Sequence, residues 1–162
     1  MEEIKSVAGA IFSKNREKIL LVKRKDVPVW VLPGGGIDFG ESSESAVIRE
    51  ILEETGFTVK VKRLVALYLP VNSLTKPTHL YECEVLDGAP TPSDETTAVV
   101  FFPLDAIPKH IPPPFREWIF DAHKEVPFFT KKLTWVNYKT LFKNLILHPI
   151  LVFKFGFSLL KK

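Results

Sequence analysis

Three glutamates, Glu50, Glu53 and Glu54, are spaced so that about one turn of helix would gather them. If Ser43 to Thr55 forms that helix, the three carboxylates share a face, and Val47, Ile48, Ile51 and Leu52 form an apolar stripe on the other side. Like charges so placed repel, and they sit toward the helix C-terminus, where the dipole also disfavours negative charge. Arg49 relieves part of that repulsion, and a divalent cation would relieve more. Oxygen ligands without Cys or His favour a hard ion, Mg²⁺ or Mn²⁺. Magnesium binds through one or two carboxylates plus substrate phosphates, so this stretch points to a phosphorylated substrate. Just upstream, Gly34-Gly35-Gly36 permits close backbone approach, and a carbonyl from this loop could complete a metal site. Glu41, before the helix, is positioned to hold the Arg49 rotamer.

The spacing is Gly35, then Glu41, then Arg49-Glu50-Ile51-Leu52-Glu53-Glu54-Thr55-Gly56-Phe57. This resembles the Nudix box at every specified position, with Phe57 standing where an aliphatic residue is commoner. The resemblance implies an α/β fold, an α/β/α sandwich with a mixed β-sheet, over residues 1–125. It implies metal-dependent hydrolysis of a diphosphate bond in a nucleoside diphosphate joined to another moiety. It implies Glu50, Glu53 and Glu54 as metal ligands, with a backbone carbonyl at Gly35, and Glu41 and Arg49 as the braces of the helix. Glu53 and Glu54 are expected as the principal ligands, and Glu50 as either ligand or base. A further carboxylate is sought on a later loop, where Glu95 is the candidate; Ala98 stands where related sequences often carry glutamate. The alternative is a Nudix-fold binding module without turnover, held at a membrane or partner by its C-terminal tail.

Substrate-binding residues are not legible. The proline expected about sixteen residues beyond the box in members that prefer ADP-ribose is replaced by Ser73, with Pro70 and Pro77 nearest. The first expectation is therefore a small nucleoside triphosphate, oxidised or not, followed by a nucleotide sugar or dinucleoside polyphosphate. Trp30, Phe39, Tyr68 and Tyr81 are able to stack on a base but read first as core or sheet residues.

The elements that must position these groups are mostly strands. Ser6–Phe12 and Ile19–Lys23 read as two strands with a polar turn, Ser13–Arg16, between them. Trp30–Leu32, Thr58–Leu69, Thr78–Leu86 and Thr97–Phe102 read as further strands, and Phe115–Lys124 as a short amphipathic helix. Ser42 and Ser43 are both candidate caps for the central helix, and Gly56 suits the left-handed residue that closes it. Asp87-Gly88 is a turn signal. Glu82 and Glu84 alternate in their strand and read as surface charge. The 162 residues and 46% hydrophobic content suit one domain able to bury a core. The single cysteine, Cys83, reads as a strand residue and excludes an internal disulfide.

Charge divides the chain. Residues 126–162 carry seven lysines and no acidic group, whereas residues 1–125 hold 15 basic against 19 acidic residues. The tail mixes lysine with aromatic residues but lacks an uninterrupted apolar span, so it is not read as a spanning helix. It is expected to pack on the domain or a homodimer partner, to lie on an anionic membrane surface through residues 128–162, or, last, to bind nucleic acid. Met1-Glu2-Glu3-Ile4 lacks the form of a signal peptide, giving a cytoplasmic expectation with peripheral membrane attachment as an addition.

Overall fold

The computed structural model describes residues 3–134 except Leu74 and His110. Period-two alternation sets the strands. In β1 (Ser6–Ile11), Val7 and Ile11 face one side, Ala8 and Ala10 the other, and all four are buried. β1 lies parallel to β5 (Thr78–Gly88), which pairs antiparallel with β4 (Phe57–Leu69). A short strand, β7 (Phe129–Lys132), adds in parallel to β4, so this sheet is mixed, in the order β1-β5-β4-β7. β3 (Trp30–Val31), β2 (Lys18–Arg24) and β6 (Thr96–Pro103) form a second, antiparallel sheet. The expected turn after β1 forms, with the Ser13 amide donating to the Lys18 carbonyl at 2.9 Å, and it passes the chain from one sheet to the other.

Two helices cover opposite sides. α1 (Ser43–Thr55) packs Val47 and Ile51 among Val7, Ile11, Tyr81 and Cys83. α2 (Phe115–His123) packs Trp118, Ile119 and Ala122 among Tyr68, Leu80 and Leu133. The architecture is α/β with a mixed sheet between helices. The packed body runs past residue 125 through β7 to Leu133, which is 1% exposed. Two lysines in a four-residue edge strand hide that strand from pattern reading. Asp87-Gly88 does not turn the chain: both residues stay in β5, paired with Thr58 and Phe57. Residues 135–162, and with them most of the basic tail, lie outside the described residues. Among the described residues no helix is long and apolar enough to cross a membrane.

Candidate functional site

The site begins in the glycine run. Gly34 has φ of +150°, and a Cβ there would lie 2.2 Å from the Val7 carbonyl oxygen, so the loop lies flush against β1. The Gly35 carbonyl accepts from the Val7 amide at 2.9 Å, which commits one lone pair of the carbonyl expected to face a metal. A Cβ on Gly35 would meet the Glu50 carboxyl atoms at 2.5 Å, so glycine is what admits that carboxylate to the loop.

α1 brings its acidic groups to this loop in two ways. Ser42 caps the helix through a 3.1 Å bond from the Ser45 amide, and Gly56, at φ +74°, closes it with a bond to the Leu52 carbonyl. In between, Arg49 acts as a staple. Its guanidinium donates to both Glu41 oxygens at 3.1 and 3.0 Å, to Glu50 at 3.0 Å, to Glu53 at 3.3 Å and to the Gly36 carbonyl at 3.1 Å. The bonds to Glu41, foremost, and to Glu50 hold the guanidinium above its ordinary pKa, and Arg49 in turn lowers that of Glu41. The Glu41–Arg49 brace is thus in place.

Glu54 lies elsewhere. It is 6% exposed and accepts the Gly34 amide at 2.9 Å. It belongs to the buried stripe of α1 with Val47, Ile51 and Thr55, whereas Leu52, expected in that stripe, is 49% exposed. The three glutamates therefore do not stand on one solvent face. Glu53 is on the open side with Arg49, Glu50 is half-buried and Glu54 is at the core edge. Burial, with Glu50 and Glu95 adding repulsion against the Gly34 amide and Arg24, pushes the Glu54 carboxyl up to about 7. Burial also raises Glu50, against Arg49, with Glu53 and Glu95 adding to it.

Glu95 is exposed on the loop before β6, yet its charge reaches both Glu50 and Glu54. Two bonds fix that loop. The Glu95 carbonyl accepts the Lys25 amide at 2.9 Å, and the buried Thr96 hydroxyl donates to the Glu54 carbonyl at 3.0 Å. Arg24, at the end of β2, also lies within the field of Glu54 and Glu95, and its bond to Asp26 foremost raises its pKa. Sequence reading missed Arg24 and Thr96; a cation ending a strand gives no spacing signal.

An oxygen-only set with desolvated, mutually repelling carboxylates is what a hard dication compensates. Among the described residues no three acidic, imidazole or thiol side chains converge as a group able to hold an ion. An ion here would draw on Glu50 and Glu54 and on oxygens of the substrate, a ligand set magnesium accepts.

Beyond the N-terminus of α1 the same sheet face continues into a groove. The apolar side chains of Ile4, Leu67, Leu69 and Val71 line it with His79 and Lys132, enclosing about 790 Å³. That volume suits a small-molecule ligand. Ile4 adjoins the glycine loop, because the next residue, Lys5, accepts the Ile37 amide at 3.3 Å.

Other expected residues serve the fold. Tyr68 is fully buried, stacked on Trp118, with its hydroxyl donating to Asp121 at 2.8 Å. Trp30 packs edge-on against Phe102. Phe39 is fully exposed beside the glycine loop. Cys83 is buried, and burial pushes its thiol up to about 12. Glu82 is not surface charge. It is 2% exposed and receives Arg63 at 2.8 Å, Lys62 at 3.0 Å and Arg16. Glu84 is exposed and pairs with Lys60 at 3.1 Å.

Comparison with known proteins places this geometry in context. The model of the NUDIX domain matches residues 4–123. The ADP-ribose pyrophosphatase of Methanocaldococcus jannaschii is 37% identical over 110 residues, 64% of each chain. The chain spans between 41% and 64% of the length of three of its curated relatives. Among solved structures, an ADP-ribose pyrophosphatase from Streptococcus suis superposes with a TM-score of 0.65 at 30% identity, over 80% of this chain and 99% of the other. A UDP-X diphosphatase superposes with a TM-score of 0.67 at 28% identity, over 80% and 68%.

Proposed function

Because the chain belongs to the Nudix family, we propose that it is a metal-dependent pyrophosphohydrolase cutting a diphosphate bond in a nucleoside diphosphate derivative. The observation that carries this is Glu54. A purely structural residue at that point of the α1 stripe would be apolar, because an unpaired buried carboxylate is costly. Instead a carboxylate faces the glycine loop within the field of Glu50 and Glu95.

Nudix hydrolases generally use a divalent metal, and Glu50 and Glu54 are the side chains that would hold Mg²⁺ or Mn²⁺, with Glu53 and the Gly35 carbonyl as further candidates. The ion supplies charge neutralisation at the phosphate and a more acidic water. The chain's own residues do the rest. Glu41 fixes Arg49, and Arg49 holds Glu50 in place and makes a longer, exposed bond to Glu53. Glu50 or Glu53 takes the proton of the attacking water. Glu95 adds its carboxylate from the facing loop, and the groove over β4, β5 and β7 takes the nucleoside.

The names of the relatives span both expected classes: ADP-ribose pyrophosphatase and UDP-X diphosphatase support a nucleoside diphosphate linked to another moiety, and a putative 8-oxo-dGTP diphosphatase, 52% identical over 61 residues, supports the triphosphate expected first. The test is turnover with Mg²⁺ on ADP-ribose, UDP-glucose, 8-oxo-dGTP and a dinucleoside polyphosphate, with Glu54→Gln as control. Hydrolysis of at least one, lost in the variant, supports the reading. No product from any substrate, or equal rates for parent and variant, overturns it and favours a binding module.

A further inference from the structure

α1 begins with two serines, and only Ser42 caps it. The Ser43 hydroxyl instead turns to the sheet, 2.6 Å from the Tyr81 hydroxyl and 3.0 Å from His79 Nδ1. We propose that this contact fixes His79 as its Nε2–H tautomer, so that it donates to a carbonyl oxygen of the base in the groove. His79 thereby selects oxo-bases over amino-bases. The proposal rests on the reading of the groove as the nucleoside site.

A hydroxyl has one proton and two lone pairs, so Ser43 could accept from both Tyr81 and Nδ1–H, but its own proton would then have no acceptor among the described residues. Two arrangements remain in which Ser43 donates within the trio. In one, Tyr81 donates to Ser43 and Ser43 donates to Nδ1, and both hydroxyl protons are used. In the other, Nδ1–H donates to Ser43 and Ser43 donates to Tyr81. The phenol proton is then left with no acceptor among the described residues, on a side chain only 5% exposed. An unmade buried donor favours the first arrangement by about tenfold or more. Burial also lowers the imidazole pKa, which disfavours its charged form. Its plane is set by an edge-to-face contact with Tyr81 at 5.8 Å and 89°.

With Nδ1 an acceptor, Nε2 carries the hydrogen, and it has no protein partner among the described residues. His79 lines the groove with Lys132, and the rest of the named lining is apolar. Both polar groups are donors. A donor-only pair of side chains matches a planar base bearing a carbonyl oxygen, whereas an exocyclic amino group meets no side-chain acceptor among the described lining residues. Ser43 and Glu50 lie seven residues apart on one helix, about 10 Å along its axis. A single rigid element thus spans base selection and the acidic groups.

Matched substrates isolate the contact. ITP against ATP, and inosine diphosphoribose against ADP-ribose, differ at the purine 6-position and the adjoining N1 proton. With Mg²⁺, the full-length protein is expected to favour the oxo member of a hydrolysed pair by about fivefold to tenfold in kcat/KM, mostly through KM. His79→Phe erases that preference by raising KM for the oxo member, and His79→Gln, which keeps a donor, retains part of it. Nitrogen-15 NMR of the imidazole shows Nε2–H in the parent and a tautomer mixture in Ser43→Ala. An Nδ1–H parent spectrum, or an oxo preference unchanged in His79→Phe, overturns the proposal alone. Failure of these four and of UDP-glucose, 8-oxo-dGTP and the dinucleoside polyphosphate alike sinks the enzymatic reading and this one with it.

Discussion

Substituting Gly35 by alanine separates the site from the fold. The backbone at Gly35 lies outside the positive-φ region, so alanine is sterically allowed there. The added Cβ would lie 2.5 Å from the carboxyl carbon and both oxygens of Glu50. Ordinary contact begins near 3.4 Å, so the carboxylate must retreat by about 0.9 Å. The retreating group is the free end of a flexible side chain, and its retreat disturbs the 3.0 Å bond from Arg49. A displacement of about 1 Å at a reacting centre costs about 10²-fold in rate, or about 2.7 kcal/mol. Stability should change by less than about 1 kcal/mol, because alanine also narrows the unfolded ensemble by about 0.4–1 kcal/mol. Gly34→Ala provides the contrast. Its Cβ would strike the Val7 backbone oxygen at 2.2 Å, at a φ of +150°, and the expected loss is about 3 kcal/mol or more of stability. Steady-state kinetics at saturating Mg²⁺ and urea unfolding measure the two effects. A Gly35→Ala protein with parental kcat/KM, or one destabilised as much as Gly34→Ala, would refute the assigned closeness of Glu50 to the loop.

Glu54→Gln should lower kcat by about 10²-fold or more. The same variant should lose most of the rise in Tm that Mg²⁺ gives the parent, since an ion that binds only the folded state stabilises it; an undiminished rise counts against Glu54 as a ligand. Arg49→Lys keeps the charge but loses the planar fork that serves five acceptors, and a fall of about tenfold or more in kcat is expected; parental kinetics would remove Arg49 from the brace. Glu82→Gln should cost about 3–5 kcal/mol in urea unfolding, because it leaves Arg16, Lys62 and Arg63 without their shared carboxylate. Burial alone would raise the Glu82 pKa, but bonds from Lys62, Arg63 and Arg16 outweigh it and hold it below the carboxylate norm. Its contribution is therefore full above the unfolded-state pKa of about 4.3 and disappears as pH falls through the lower folded value. The parent should lose stability on acidification below about pH 4.5, and Glu82→Gln should lose less over the same range; parallel curves would refute the assignment.

Local rules in the sequence placed α1 to within a residue, because a serine cap, left open between Ser42 and Ser43, and a left-handed glycine mark its two ends. They placed the longer strands within a residue or two, since apolar and β-branched runs bounded by turn residues mark them. β7 escaped because Phe129-Thr130-Lys131-Lys132 becomes a strand only through pairing with β4. The Glu41–Arg49 brace was legible from spacing. The burial of Glu54 was not weighed, although Val47, Ile51 and Thr55 put position 54 beside their stripe. Glu82 was misread for a related reason. Its alternation in β5 gives its face, but the three cations that make burial tolerable come from β4 and the β1–β2 turn. The groove involves residues 4, 67–71, 79 and 132, distant in sequence, and no spacing rule gathers them.

The position of Glu54 also accounts for how the two sides of the site stay aligned. Its side chain takes the Gly34 amide, and its main-chain carbonyl takes the Thr96 hydroxyl. The glycine loop and the Glu95 loop are therefore tied to the same residue, and each is tied separately to the sheets, through Val7 in β1 and through Lys25 just after β2. Relative motion of the loops must break a hydrogen bond at a largely buried residue, where lost bonds are not recovered cheaply from water. Glu53, by contrast, is held by one exposed bond to Arg49, worth little as a restraint. The more tightly held members of the acidic group are thus Glu50 and Glu54, and the more loosely held one is Glu53. A fixed pair suits ion holding, which needs set geometry, and a free carboxylate suits proton removal, which needs only brief contact with water. That division favours Glu53 over Glu50 as the base.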